Sequence, residues 1–467
     1  MRGSTFIKEN PFGFLEPIHQ HILHNATPLT MTNWPMLFIV PLIPLSLVCY
    51  LVQIEGTRRY RLPLGILGCA MIVRAAMSYR FDEIEYNAFN NGICISAMHL
   101  AAKYLEYGCI KGPIVDPYVA RGSRSLFMGA IDLAINSRMV GLGRIKSSRR
   151  SPVGRTSNEV KGPDGGVQVN GSATPDVIPH HRERWLPYTS DPGRSRLSAA
   201  FRHFRLMVIY YTVFDTLMAL LWHVGGSTIA DPHGRPGAVQ TFLDSSHFVM
   251  LPKLAHPLPV PTALVVVIIE LSIATAVWQA ISMGYHTVAL MAVASGLWET
   301  EAWEVDIFDA PWKADSILDM WGRRWHQIFR HHFLLVSVLV LRTLRLPTTP
   351  TFVLPIIFFL SGAMHALGQI SMSLVPDPIR IATFFVLSGV GAALEAMFSR
   401  LTGKHVRGLW GRIWMWTWFI VTGRFAAFTW LEGGLGGNRL VPTDFAFRPG
   451  PVITRWLIEY AFDTVKR

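Results

Sequence analysis

The chain has 467 residues, 50% of them hydrophobic and only 16% charged, which excludes a string of soluble domains and implies a polytopic membrane protein. A net charge of +12 would suggest nucleic acid in a soluble protein, but here the basic residues gather between apolar segments and read as cytosolic loops. Cys49, Cys69, Cys94 and Cys109 have no metal-ligand spacing, so neither a disulfide framework nor a zinc site is implied.

No basic stretch followed by an apolar one precedes Trp34, so a cleavable leader is not expected. Trp34 to Val52 is the first run long enough to span, since a bilayer core takes about 20 apolar residues in a helix. Arg58, Arg59 and Arg61 follow at once; as cytosolic anchors they put Met1 to Asn33 in the lumen, where Asn25-Ala26-Thr27 is a glycosylation acceptor sequence. Leu62 to Tyr79, interrupted by Arg74, reads as a second span, and Ser125 to Gly143 as a third, closing a first part at residues 1–143.

Residues 144–205 are dominated by Arg, Ser, Gly and Pro. Such a segment has too little apolar surface to offset its chain entropy and is expected to be a disordered cytosolic loop. Residues 206–467 then form the membrane core. Leu206 to Val224 and Thr262 to Met283 are clear spans, while Tyr285 to Trp298 is too short to assign. Asp215 and Glu270 lie inside the two clear spans, either in structural hydrogen bonds or facing a polar cavity. Phe333 to Leu344, Thr351 to Leu374, Ile381 to Phe398 and Trp410 to Trp430 follow, and Val452 to Phe462 reads as an interfacial amphipathic helix. The expected fold is all-α, with roughly seven to nine transmembrane helices.

Two stretches carry chemistry. Read as a helix, the run from Asp319 to His332 puts Trp321, Trp325 and Ile328 or Phe329 on one face and Arg323, Gln327 and Arg330 on another, which predicts an amphipathic helix at the cytosolic interface. Such a helix serves as a membrane anchor, or its arginines meet the phosphates of a nucleotide-bearing cosubstrate. The second stretch is Ser361-Gly362-Ala363-Met364-His365, inside the span Thr351 to Leu374. A polar side chain at that depth is costly unless it faces a cavity or a partner. Ser361 and Gln369 lie one turn to either side of His365, and Gly362 and Gly368 leave room for something to approach. A neutral imidazole there could take the proton of an alcohol attacking a thioester. The chain offers no G-x-S-x-G, H-E-x-x-H or P-loop, and no His-x-x-x-Asp.

Trp321-Gly322-Arg323-Arg324-Trp325-His326-Gln327, followed within a later span by Ser361-Gly362-Ala363-Met364-His365, resembles the wax synthase-like branch of the membrane-bound O-acyltransferases, in its fungal secondary-metabolite acetyltransferase form. The resemblance is specific from Phe308 to Met372 and general elsewhere. It implies that His365 is the general base and that His326, where the wider superfamily often has Asn, is a second polar member of the site. Trp321, Arg324 and Trp325 would shape the mouth of an acyl-CoA tunnel, with Arg323, Arg324 or Arg330 holding the phosphates. The implied activity is transfer of an acetyl group from acetyl-CoA to a lipophilic alcohol such as a terpenoid or meroterpenoid, in the endoplasmic reticulum membrane. No permanently bound cofactor or metal is implied. The alternatives are a long-chain acyl-CoA:fatty alcohol wax ester synthase, or a transporter using Arg74, Asp215, Glu270 and Glu395 as its pathway charges.

Overall fold

The computed structural model describes residues 13–136, 195–249, 256–374, 377–441 and 445–463. The architecture is helical; among the described residues the only strands are two short pairs, Thr27–Pro28 with Tyr79–Arg80 and Phe248–Val249 with Leu258–Pro259. Six helices have the length and composition to cross a bilayer: Trp34–Val52, Arg58–Ser78, Arg196–Gly225, Thr262–Ala294, Pro350–Ser371 and Pro378–Thr402. The chain is a multi-pass membrane protein.

The elements that matter below are α1 (Arg58–Ser78), α2 (Asn87–Cys109), α3 (Arg196–Gly225), α4 (Thr262–Ala294), α5 (Arg330–Thr343), α6 (Pro350–Gly368), α7 (Pro378–Thr402), α8 (Gly408–Thr422), α9 (Arg424–Glu432) and α10 (Pro449–Asp463). They pack largely as antiparallel pairs, α1 on α2, α3 on α4 and α6 on α7. Polar contacts fix which ends lie together. On one face Arg58 Nε donates to the Cys109 carbonyl at 3.0 Å, Arg61 Nη2 to that of Ile110 at 3.0 Å, and Arg196 Nη1 to that of Trp298 at 2.8 Å. On the other, His19 Nδ1 donates to the Ile370 carbonyl at 2.8 Å, Asn87 Oδ1 accepts from Ser373 N at 3.0 Å, and Trp222 Nε1 donates to the Gly436 carbonyl at 3.0 Å. By the charge rule, the arginine-bearing face is the cytosolic one.

Several expectations change. Helix α2 is absent from the predicted spans because Asn87, Asn90, His99 and Lys103 lower its hydropathy, yet all four are buried: they face protein, where Lys103 Nζ donates to the Ala134 carbonyl at 2.8 Å. Helix α3 begins at Arg196, inside the stretch expected to be disordered, with Ser195 as its N-cap; residues 144–194 lie outside the described residues. Tyr285 to Trp298 is no separate span, since α4 runs unbroken to Ala294. Of Ser125 to Gly143, the described part contains a helix over Leu126–Ile135. Phe333 to Leu344 falls in the 14-residue α5, and Trp410 to Trp430 divides at Gly423 into α8 and α9. Helix α10 is amphipathic as expected and packs on α3, because Asp215 accepts from Arg448 Nε at 2.8 Å and from Gly450 N at 2.7 Å.

Candidate active site

The Trp-rich run is built by three local devices. Ser316 Oγ accepts from Asp319 N at 2.9 Å, and the Glu395 carboxylate of α7 takes the free N–H groups of Ile317 and Leu318 at 2.8 and 2.9 Å, so a short helix starts there. Met320–Arg324 then forms a π turn, with Trp325 N donating to the Met320 carbonyl at 2.8 Å. At Trp325 the backbone becomes extended, and Gln327 Nε2 covers the Trp321 and Trp325 carbonyls at 3.1 and 2.6 Å.

The run is therefore not the continuous interfacial helix that its periodicity predicts. The extra residue per turn rotates Trp321 inward, where its ring lies 5.8 Å from Phe358, 6.1 Å from Phe385, 6.0 Å from Phe419 and 5.9 Å from Trp325. Arg324 pairs with Asp319 and donates to the carbonyls of Asp309 and Ala310 at 3.2 and 3.3 Å, which ties the run to the preceding loop. Arg323 is more exposed and meets Asp309 at 2.6 Å, and Arg330 donates to Gln327 Oε1 at 3.3 Å.

His365 is carried by α6 and stacks on Phe385 of α7 at 4.1 Å, with 21° between the rings. Its Nδ1 lies 2.8 Å from the Ser361 carbonyl. A carbonyl can only accept, so Nδ1 carries the proton and Nε2 keeps its lone pair. Ser361 thus acts through its backbone and not its hydroxyl. The two glycines serve helix packing: a Cβ at Gly362 would sit 3.0 Å from the Ala382 carbonyl oxygen, and one at Gly368 would sit 2.7 Å from Asn91 Oδ1.

His326 follows the extended Trp325 and is edge-on to Phe308 at 5.7 Å and Phe329 at 5.8 Å. Burial first, and then the charge that His365 would carry, push its imidazole down to about 3, so it stays neutral. The fold thus brings His365 to Trp321, Trp325 and His326, which lie in an earlier segment of the chain. Several buried polar atoms here have no partner among the described residues: His326 Nδ1, both amide atoms of Gln369, Trp321 Nε1, Trp418 Nε1 and Ser388 Oγ. Buried polar groups are nearly always paired, and unpartnered ones occur elsewhere among the described residues too, as at His99, Asp132 and Trp303.

The reading of the sequence missed a second polar cluster. Glu106 of α2 accepts from His331 Nε2 at 2.5 Å, its other oxygen lies 3.0 Å from His332 Nδ1, and the His99 ring lies 4.9 Å from that of His332. The adjacent histidines were visible, but their partners sit on the helix that hydropathy hid. Of the charges considered for a transport pathway, Asp215 and Glu395 are fully engaged in helix junctions and Arg74 is exposed.

A helical, multi-pass protein with two imidazoles packed against an aromatic wall defines a class of intramembrane site. Residues 303–387, which contain the π turn, both histidines and Phe385, match the membrane bound O-acyl transferase family. Over that segment the chain is similar to this family, and the relatives that it matches include both acetyltransferases and a long-chain-alcohol acyltransferase. It is similar to "Acetyltransferase atnC" of Arthrinium sp, 30% identical over 156 residues, which cover 30% of this chain and 35% of that protein. "Acetyltransferase eriL" of Hericium erinaceus is 30% identical over 159 residues, 31% of this chain and 40% of that one. The Arabidopsis thaliana "Probable long-chain-alcohol O-fatty-acyltransferase 1" is 30% identical over 106 residues, 20% of this chain and 29% of that one. The matched stretches span less than half the length of each relative. No solved structure matches the chain.

Proposed function

We propose that the chain is an acyl-CoA-dependent O-acyltransferase of the endoplasmic reticulum membrane, moving an acetyl group from acetyl-CoA onto a hydroxyl of a lipophilic terpenoid or meroterpenoid. The observation that carries this reading is the tautomer of His365: Nδ1–H is spent on the Ser361 carbonyl, which leaves a basic Nε2 on a ring held by Phe385 beside His326.

In the proposed reaction Nε2 of His365 takes the hydroxyl proton as the alcohol oxygen bonds to the thioester carbon. The C–S bond then breaks, and the departing thiolate receives that proton from the imidazolium. Atoms balance with alcohol and acyl-CoA in, ester and CoA out. His326, kept neutral, orients a reactant by hydrogen bonding. Trp321 and Trp325 form the apolar wall along which the acyl arm passes. In this reading Arg323 and Arg330 meet phosphate by exchanging their contacts with Asp309 and Gln327, while Arg324 shapes the mouth by holding the π turn to its loop.

Acetyl transfer is favoured because four fungal relatives are named acetyltransferases. Wax ester synthesis is the second reading, favoured by the plant relative's name. The test offers labelled acetyl-CoA and palmitoyl-CoA, with a pool of terpenoid and fatty alcohols, to membranes carrying wild type or His365→Ala. Label in an acetylated terpenoid with wild type alone supports the first reading. Label from palmitoyl-CoA in a fatty ester supports the second, and no His365-dependent product from either donor removes both.

A further inference from the structure

Away from the arginine-bearing face, α3 and α10 enclose a groove of about 550 Å³, lined by Ala219, Trp222 and His223 of α3 and by Thr454, Arg455 and Glu459 of α10 among others. The two helices run side by side in one direction. Tyr211 Oη donates to the Phe447 carbonyl, Gly450 N donates to Asp215 Oδ2 at 2.7 Å, and Thr454 and Arg455 then reach Ala219 and Trp222. From Arg205 to His223, α3 rises about 27 Å, against a hydrocarbon core of about 30 Å. With Arg205 at the cytosolic boundary, the groove opens at the lumenal headgroup level.

One wall of the groove is fixed. Trp222 Nε1 donates to the Gly436 carbonyl at 3.0 Å, and the Arg448 guanidinium, itself held by Asp215, lies 5.5 Å from the indole centroid. Thr454 is what close packing does not account for. A helical threonine commonly returns its hydroxyl to the carbonyl four residues earlier, as Thr216 on α3 and Thr287 on α4 do at 2.8 Å each. Thr454 is only 5% exposed, yet its Oγ1 has no partner among the described residues. A buried hydroxyl is costly to leave unmet, so this one points to a ligand. Around it the groove offers both signs of charge, since Arg455 and Glu459 are exposed and form no ion pair among the described residues. Val452, Trp456 and Leu457 of the same helix are exposed apolar groups at membrane depth, so acyl chains have a surface to lie on beside the groove.

We infer that this groove binds the headgroup of a zwitterionic glycerophospholipid from the lumenal leaflet. Arg455 takes the phosphate, Thr454 Oγ1 donates to a phosphate or ester oxygen beside it, and Glu459, one helical turn farther along α10, takes the ammonium. An anionic headgroup without an ammonium supplies the phosphate but leaves Glu459 facing negative charge. A lipid seated there staples α10 to α3 beyond the contacts that Asp215 makes at the other end of the groove.

The experiment adds phosphatidylethanolamine or phosphatidylglycerol to the purified full chain in neutral detergent and reads bound lipid by native mass spectrometry, with the melting temperature alongside. Wild type should hold phosphatidylethanolamine at least about fivefold more tightly than phosphatidylglycerol and melt higher in its presence. Arg455→Gln, at an exposed position, should lose at least about tenfold in affinity for both lipids. Glu459→Gln should lose the preference and keep phosphatidylglycerol. Thr454→Val removes the unmet hydroxyl with little change of shape; it should melt at or above wild type without lipid and gain less when phosphatidylethanolamine is added. A wild type that holds neither lipid overturns the inference, as does affinity unchanged in Arg455→Gln. Equal affinity for the two lipids also overturns it and leaves an unselective phosphate site. A Thr454→Val protein that melts below wild type without lipid would show that the hydroxyl is spent inside the fold, which removes Thr454 from the site and with it the observation that points to a ligand.

Discussion

This chain buries two kinds of histidine pair, built in opposite ways. His203 and His286, on α3 and α4, face each other with their Nδ1 atoms 2.9 Å apart. His286 also lies 3.8 Å from Asp306 and stacks on Tyr210, and Arg202 holds Asp306 at 2.6 Å. His331 and His332 are likewise tied to Glu106. His326 and His365 have one hydrogen bond between them among the described residues, and it goes to a backbone carbonyl. An unmade hydrogen bond in a buried site costs about 1–3 kcal/mol, so His326 Nδ1, unpartnered among the described residues where the His203–His286 pair is bonded, sacrifices stability at that place, as do the two ring nitrogens of His99 beside His332. The partnered imidazoles join helices. His326 and His365 are the pair that the proposed reaction uses.

Removing His365 should break the contrast most sharply. His365→Ala is expected to lower kcat by about 10²–10⁴, the usual contribution of a general base, with insertion and melting close to wild type. Full turnover by that variant in the acyl-transfer assay would erase the distinction between the pairs. The opposite pattern is expected on the structural side. Glu106→Ala strands two buried imidazoles and should cost on the order of 3 kcal/mol of stability, seen as a lower melting temperature, while turnover per folded molecule holds. A kinetic defect in folded Glu106→Ala protein would move that cluster into the active site.

How much of this was legible in the sequence follows from the range of the interactions. His365 could be found because one imidazole in an otherwise apolar span is expensive at any tertiary structure. Its tautomer could not, although the deciding carbonyl is only one turn away, because nothing in the residue types says which lone pair Nδ1 will meet. The six long spans follow from local composition, whereas α2 does not: Asn87, Asn90, His99 and Lys103 look like loop residues until the helices that cover them are known. The periodicity of Trp321 and Trp325 pointed to an interfacial stripe, and the π turn defeated it by inserting one residue. Asp215 had no visible partner because Arg448 lies on the far side of the membrane core in sequence.

His326 sharpens the comparison at a finer level, between moving a proton and holding a reactant. His326→Ala should lower kcat by about tenfold, the loss of one hydrogen bond made in the site, and leave KM for acyl-CoA near wild type. His326→Asn keeps a polar side chain of similar reach and should recover most of that loss. Equal and complete inactivation by both substitutions would show that His326 transfers protons and that the two imidazoles act as one unit.

The last expected effect concerns acid, and it is small just below pH 6.5. Burial, and after it the charge of His365, hold folded His326 down to about 3, whereas the unfolded chain has a histidine near 6.5. As pH falls below 6.5 the unfolded state takes up a proton that the folded state refuses, so stability contributed by the neutral ring is present above 6.5 and is lost progressively toward 3. One such group contributes at most about 1.4 kcal/mol per pH unit in that window. His326→Gln should therefore flatten the decline of melting temperature below pH 6.5 relative to wild type. Identical acid profiles for wild type and His326→Gln would mean that His326 opens to solvent when protonated, and that the open pair is shielded less completely than its missing partners suggest.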